Sequence, residues 1–274
     1  MKTRIITAVV GVGFASFLIR NGGYPFSILI IFLAMVAWFE FKRMANKLGS
    51  EIFLLTSGSA ALALNLAVAF GLERFSMLII TASVLGIMIQ ALCFYKRKKY
   101  DSESSLSIVA MLYSGLLFSY VILLRNIPGL PFNIPYIGTM ETGEAFLWMA
   151  LLGTWSSDTF AYFFGIAFGK HKMTKISPKK SIEGLVAGFF GCLLMTYLIG
   201  VKLMNLDFMP TLILGILIGV FAPLGDLVES NWKRTFKVKD SGKLIPGHGG
   251  VFDRFDSFLY IIPITYYYVL YVFL

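Results

Sequence analysis

Nine stretches of this chain are apolar for long enough to cross a lipid bilayer, and that requirement leaves few folds open. A helix needs roughly 20 mainly apolar residues to span the hydrocarbon core. Stretches of that kind lie at about 5–19, 24–39, 52–72, 75–95, 106–124, 144–168, 183–201, 209–228 and 257–274. In hydrocarbon every backbone N–H and C=O must be satisfied within the protein, so runs of this kind become helices. Charged residues make up only 14% of the 274, against about 25% in soluble domains. The expectation is an all-α integral membrane protein, one domain over 1–274, with apolar spans to about 140 and polar-decorated spans from 141 to 274. The first stretch follows Lys2 and Arg4 as a signal peptide would. It ends at Arg20-Asn21 with no A-x-A site, so it reads as a retained span.

The basic residues set the orientation. With the N-terminus inside, only Arg20, Arg74, Arg125 and Lys202 of the 24 Lys and Arg fall outside, which satisfies the positive-inside rule at every loop. The reading is N-in, C-out, a multi-pass protein of the inner (cytoplasmic) membrane. The net charge of +9 then reflects topology and attraction to anionic lipid. Nucleic-acid binding is not expected, because no soluble domain presents a basic patch. Cys93 and Cys192 fall in spans and read as packing residues. The segment 125–144, with Pro128, Gly129, Pro131 and Pro135, reads as an irregular or re-entrant connection.

Charged residues inside spans are costly and mark candidate sites. Asp158 sits in mid-span, and on a helix it shares a face with Thr154, Tyr162 and Gly165, a stripe that must avoid lipid. A structural pairing with a buried Lys or Tyr is the plainer alternative for it. Asp226 lies near the inner end of the eighth span, after Gly215-x-x-x-Gly219 and Pro223, and its face continues through Ser230 and Lys233 with Glu229 beside it.

The loop that follows is the most informative segment. It runs Ser230-Asn-Trp-Lys233-Arg234, then Lys239-Asp240-Ser-Gly242, then His248-Gly-Gly250-Val-Phe-Asp253-Arg254-Phe-Asp256. Lys233 and Arg234 can neutralise phosphate oxygens, Arg in a bidentate way. The glycines around His248 let backbone N–H groups approach an anion. Asp253 and Asp256, three residues apart, share a face at the start of the ninth helix. Carboxylates suit Mg²⁺, which is commonly bound by one or two of them together with substrate phosphates. Asp226 and Asp253, from different helices near the inner surface, can hold one or two such cations.

Residues 230–256 resemble the signature of phosphatidate cytidylyltransferases, S-x-(aliphatic)-K-R, then K-D, then H-G-G-x-x-D-R-x-D. Trp232 stands where an aliphatic residue is usual. A second resemblance covers 157–184, around Asp158, Tyr162, Gly165 and Ser177-Pro-Lys179-Lys180. There the family more often has Gly at Phe160, Arg at Ile166 and Thr at Ser181. Arg125 also matches. The resemblance implies transfer of CMP from CTP to phosphatidate, with Mg²⁺ at Asp226 and Asp253 and a monovalent cation such as K⁺ beside it. It further implies Lys233, Arg234, Lys239, Asp240 and Arg254 around the phosphates, Asp256 among the catalytic residues, and a homodimer. Asp158, Tyr162, Ser177, Lys179 and Lys180 join the substrate-binding set, and Ser177 can equally cap a helix beginning at Pro178. For His248 three roles stay open: acid, phosphate donor or loop anchor.

Both polar loops, 169–182 and 229–256, fall on the inside. That is where a water-soluble nucleotide meets a lipid held in the leaflet, so the active site is expected to face the cytoplasm. Two rival readings remain: a cytidylyltransferase acting on another lipid phosphate, and an ion-coupled transporter using Asp158 and Asp226. The transporter predicts charge spread through the bilayer and a repeat between halves, and neither is seen. A CDP-alcohol phosphotransferase would carry D-G-x-x-A-R, which is absent.

Overall fold

The computed structural model describes residues 2–93, 100–174, 176–242 and 249–274, with side chains for 9–93, 102–174, 176–242 and 249–274. Its helices, in chain order, are α1 Lys2–Asn21, α2 Gly23–Asn46, α3 Ser59–Ala69, α4 Ser76–Cys93, α5 Tyr100–Met111, α6 Phe118–Arg125, α7 Thr142–Phe168, α8 Ile182–Tyr197, α9 Phe208–Thr235 and α10 Phe252–Tyr268. Wider π turns extend several of them; one at Leu112–Leu117 joins α5 to α6 in a single rod. A small antiparallel ribbon, β1 Phe132–Ile134 and β2 Gly138–Met140, pairs Phe132 with Met140 in the Pro- and Gly-rich connection.

Six of these helical stretches are long and apolar enough to cross a membrane: Gly23–Asn46, Glu73–Cys93, Ser102–Arg125, Ile182–Leu203, Phe208–Thr235 and Phe252–Phe273. The chain is an all-α, multi-pass membrane protein. The other three expected spans meet the requirement less fully. Val9–Asn21 and Leu54–Ala69 are apolar but shorter. α7 has length to spare at 27 residues, but Thr154, Ser156, Ser157 and Asp158 dilute its apolar character.

The helices pack as two compact units, one formed by 1–123 with 233–254, the other by 124–232 with 255–274. The chain passes between them within α6, within α9 and within α10. In the first unit, α2 contributes a buried row of Trp38, Phe41, Met44 and Ala45. Trp38 Nε1 donates to Ser57 Oγ at 2.9 Å, and Ser57 Oγ donates to the Ser107 carbonyl at 2.8 Å. Asn65 Nδ2 donates to the carbonyls of Ser114 and Gly115, at 3.2 and 3.1 Å, satisfying groups that the π turn frees. The chain beyond α9 packs into this unit by its aromatics. Phe236 meets Phe41 edge-on at 5.3 Å, and Phe252 stacks on Tyr113 at 4.5 Å.

In the second unit α7 and α8 cross closely because α8 is smooth on one side. A Cβ on Gly184 would lie 2.7 Å from the Ala161 carbonyl oxygen, and one on Gly188 would lie 2.7 Å from that of Ser157. This Gly184-x-x-x-Gly188 pair does for α7 what small residues do in membrane helix pairs, letting backbones touch where apolar side chains gain nothing over lipid. Ser156 Oγ donates across the interface to the Gly191 carbonyl at 2.9 Å. Phe160, where relatives in the resembled family more often have Gly, is accommodated because residue 191 is Gly: a Cβ there would sit 2.8 Å from the Phe160 Cβ.

Gly188→Leu should therefore lower the thermal unfolding midpoint of the detergent-purified protein, by an overpacking cost of about 1–3 kcal/mol. Gly11→Ala, whose Cβ would meet nothing within 4 Å, should leave it unchanged.

Candidate active site

Within the second unit a cavity of about 590 Å³ gathers residues from three distant parts of the chain. α7 supplies Asp158 and Tyr162, the connection before α8 supplies Ser177, Lys179 and Lys180, and α9 supplies Asp226. Its lining also includes the apolar residues Ile166, Leu185 and Pro223. Ile166 stands where the resembled family more often has Arg. Asp226 forms an ion pair with Lys180 and accepts from Ser230 Oγ at 3.3 Å. Six residues expected to bind substrate or metal thus share one cavity.

The local structure of the connection differs from expectation at one point. α8 does not begin at Pro178; Ser177–Lys180 is a turn, closed by the Lys180 N–H on the Ser177 carbonyl at 3.1 Å. The helix starts at Ile182, and Ser181 is its cap, accepting from the Gly184 N–H at 3.1 Å. A hydroxyl is needed there, which Ser supplies as Thr would. Lys179 and Lys180 are held by a two-sided bracket: Met173 N–H donates to the Lys180 carbonyl and Ile182 N–H to that of His171, both at 2.9 Å. His171 is exposed and meets Glu183 at 2.6 Å.

α9 and α10 together build a carboxylate cluster. Pro223 interrupts the helical bonding of α9 one turn before Asp226. Gly225 then lets α10 close in, since a Cβ there would lie 2.6 Å from the Asp256 carbonyl oxygen. As a result Asp226, Glu229 and Asp256 each offer one carboxylate oxygen, all within 4.8 Å of one another. Carboxylate oxygens are the donor type that Mg²⁺ takes. Glu229 is fully buried. It was legible only as a neighbour of Asp226; three residues apart on a helix, the two share a face.

Asp253 belongs to the first unit and is occupied with the loop itself. Its Oδ1 accepts from Lys233 Nζ at 3.0 Å. Its Oδ2 accepts from the Ser241 N–H at 3.0 Å, the Ser241 hydroxyl at 2.9 Å and the Gly250 N–H at 2.9 Å. Arg234, Lys239, Asp240 and Arg254 are exposed. Lys239 and Asp240 border a second cavity of about 300 Å³ with Arg43, Lys47 and Lys237. His248 lies outside the described residues. Sequence reasoning missed Glu40, a buried carboxylate on α2 that bonds the same loop. The signal was slight: Glu40 falls one residue beyond the expected span 24–39 and beside Lys42 and Arg43, where a charge is ordinary at a span's end.

Helices that cross a membrane, a carboxylate cluster, and a cavity pairing lysines with apolar residues define a membrane enzyme acting on anionic, phosphate-bearing groups. The sequence matches the cytidylyltransferase family over residues 2–272, and the chain belongs to that family, whose members are nucleotidyltransferases. It is 33% identical to a phosphatidate cytidylyltransferase of Bacillus subtilis over 280 residues, covering 97% of each chain. A protein of the same name from Synechocystis is 33% identical over 294 residues, covering 97% of this chain and 95% of its own. One from Staphylococcus saprophyticus is 32% identical over 281 residues, covering 96% of this chain and 97% of its own.

Asp253→Asn must turn an amide nitrogen either toward the Lys233 ammonium or toward the three donors on Oδ2. Hydrogen bonds to charged groups contribute about 1.5–3 kcal/mol each. The variant is expected to lose at least roughly a hundredfold in turnover, and trypsin should cut faster at Lys237 and Lys239. Wild-type turnover would show that the loop does not depend on this carboxylate.

Proposed function

We propose that this chain transfers CMP from CTP to phosphatidate, forming CDP-diacylglycerol and pyrophosphate in phospholipid biosynthesis. The observation that carries the reading is the cavity that brings Lys179, Lys180, Asp158 and Asp226 together with apolar residues. An amphiphile with a phosphate head and acyl chains needs both kinds of residue. Family membership and the names of the relatives support the nucleotide and the lipid.

A phosphate oxygen of the lipid attacks the α-phosphorus of CTP. The bond from that phosphorus to the bridging oxygen breaks, and pyrophosphate leaves with the electron pair. No covalent enzyme intermediate is needed, so the protein's work is positioning and charge neutralisation. Lys179 and Lys180 hold phosphate oxygens at the cavity; Lys233, Arg234, Lys239 and Arg254, in the first unit, are the further cations that the family resemblance assigns to phosphate. Asp226, Glu229 and Asp256 are the residues that would hold Mg²⁺ within the second unit. Asp253, expected as a metal ligand, contributes in this reading through the loop it organises. When bound, Mg²⁺ screens the charge of the triphosphate and of the departing pyrophosphate. A monovalent cation such as K⁺ beside it belongs to the same reading.

The orientation is N-in, C-out with nine spans in the cytoplasmic membrane, and the site faces the cytoplasm. The distribution of Lys and Arg supports this. It also suits the substrates, since CTP is confined to water and phosphatidate to the leaflet.

Purified protein given labelled CTP, phosphatidate and Mg²⁺ is expected to yield a labelled lipid, and a chelator should abolish the product. Asp226→Asn should reduce turnover by roughly a hundredfold or more, through loss of a metal ligand and of the Lys180 pair. No labelled product with any lipid phosphate would overturn the reading. Product from a different lipid phosphate alone would replace the substrate.

A further inference from the structure

Glu40 lies in the second helix, in the sequence Trp38-Phe39-Glu40-Phe41, and is only 7% exposed. A carboxylate buried this deeply is costly unless its oxygens are hydrogen bonded. Both are bonded, and every partner lies in the signature loop. Oε1 accepts from the Val251 N–H at 3.1 Å; Oε2 accepts from the Phe252 N–H at 2.8 Å and faces the Ser241 hydroxyl at 3.2 Å.

These partners are not arbitrary. Val251 and Phe252 flank the start of α10, where backbone N–H groups have no acceptor within the helix. Glu40 therefore caps α10 from another helix, and its negative charge complements the positive end of the helix dipole. Glycines make room for it. A Cβ on Gly250 would lie 2.5 Å from each Glu40 oxygen, and one on Gly242 would strike the same side chain. Asp253 grips the loop from the other side through Ser241 and Gly250. The Ser241 hydroxyl has one proton for two carboxylates. Its shorter contact is to Asp253 at 2.9 Å, so the backbone N–H bonds carry the hold of Glu40 on the loop.

We infer that Glu40 is a positioning residue for the transferase reaction, fixing Val251, Phe252 and with them the first turn of α10 so that Asp253 and Arg254 keep their places. This inference rests on the proposed function for its catalytic half. Its structural half stands on the hydrogen bonds alone. Gln is nearly the same size, but one of its two polar ends is a donor, so it cannot accept from both N–H groups. Asp keeps both acceptors one methylene further away.

The test uses the full chain in detergent, with hydrogen exchange read by mass spectrometry over 249–256 alongside kcat and the unfolding midpoint. In the wild type the Val251 and Phe252 amides should exchange slowly; free exchange there would overturn the clamp without any variant. Glu40→Gln should speed their exchange, and lower kcat per folded enzyme, by roughly ten- to a hundredfold. Exchange in α3 and α8 should stay unchanged. Glu40→Asp should recover part of both. Faster exchange with wild-type kcat would overturn the positioning role, leaving Glu40 a fold residue only. Unchanged exchange in Glu40→Gln would overturn the clamp. If the wild type makes no CDP-lipid, the functional reading falls, and the exchange data alone decide whether Glu40 holds the loop.

Discussion

A charge removed from water must find its partners within the protein, and the polar parts of this structure follow from that constraint. An isolated buried ion costs far more than a domain's net stability can absorb. Four such groups meet the constraint through contacts within the protein. Glu40 is bonded to two backbone N–H groups, Asp253 to Lys233 and Ser241, and Asp226 to Lys180. Arg125, 2% exposed at the end of α6, is satisfied by Glu141 across the ribbon connection. Two of these pairings tie segments far apart in sequence, Glu40 to Val251 and Phe252, and Asp226 to Lys180. The chemistry and the tertiary fold are therefore held by the same contacts.

Glycine makes these contacts reachable. Gly184 and Gly188 bring α8 onto α7, which carries Asp158 and Tyr162; Gly225 brings Asp256 toward Asp226 and Glu229; Gly242 and Gly250 admit the Glu40 side chain to the loop. In hydrocarbon, apolar side chains gain little by leaving lipid for one another, so close backbone approach and hydrogen bonding must do much of the packing. A methyl group at any of these positions would sit within the contact distance of a backbone or carboxylate oxygen. The glycines of the signature thus serve geometry as well as anion access.

Much of the architecture was legible beforehand. Helices followed from apolar runs, and six of the nine proposed spans have the length and composition required. Asp158, Tyr162, Ser177, Lys179, Lys180 and Asp226, each read from the sequence as a site residue, line one cavity. Other features were hidden because they depend on partners distant in sequence. Ser181, not Ser177, caps α8, since the bracket with His171 and Met173 delays the helix. Asp253, read as a metal ligand by residue type, has four donors around its carboxylate that no local pattern announced. Glu40 sits among residues 1–140, where hydropathy seemed to exhaust the information, and its donors are over 200 positions away.

The amino-acid sequence alone determined the membrane-embedded helical class and the family, because apolar length and a dense local motif are properties of contiguous residues. It also named nearly all the charged groups of the site. Tertiary structure decided which of those groups meet. It joined Glu229 and Asp256 to Asp226, set Asp253 to organise its own loop, and recruited Glu40 from the second helix. Those outcomes turn on distances of a few ångströms between segments widely separated along the chain, and no local pattern encodes such distances.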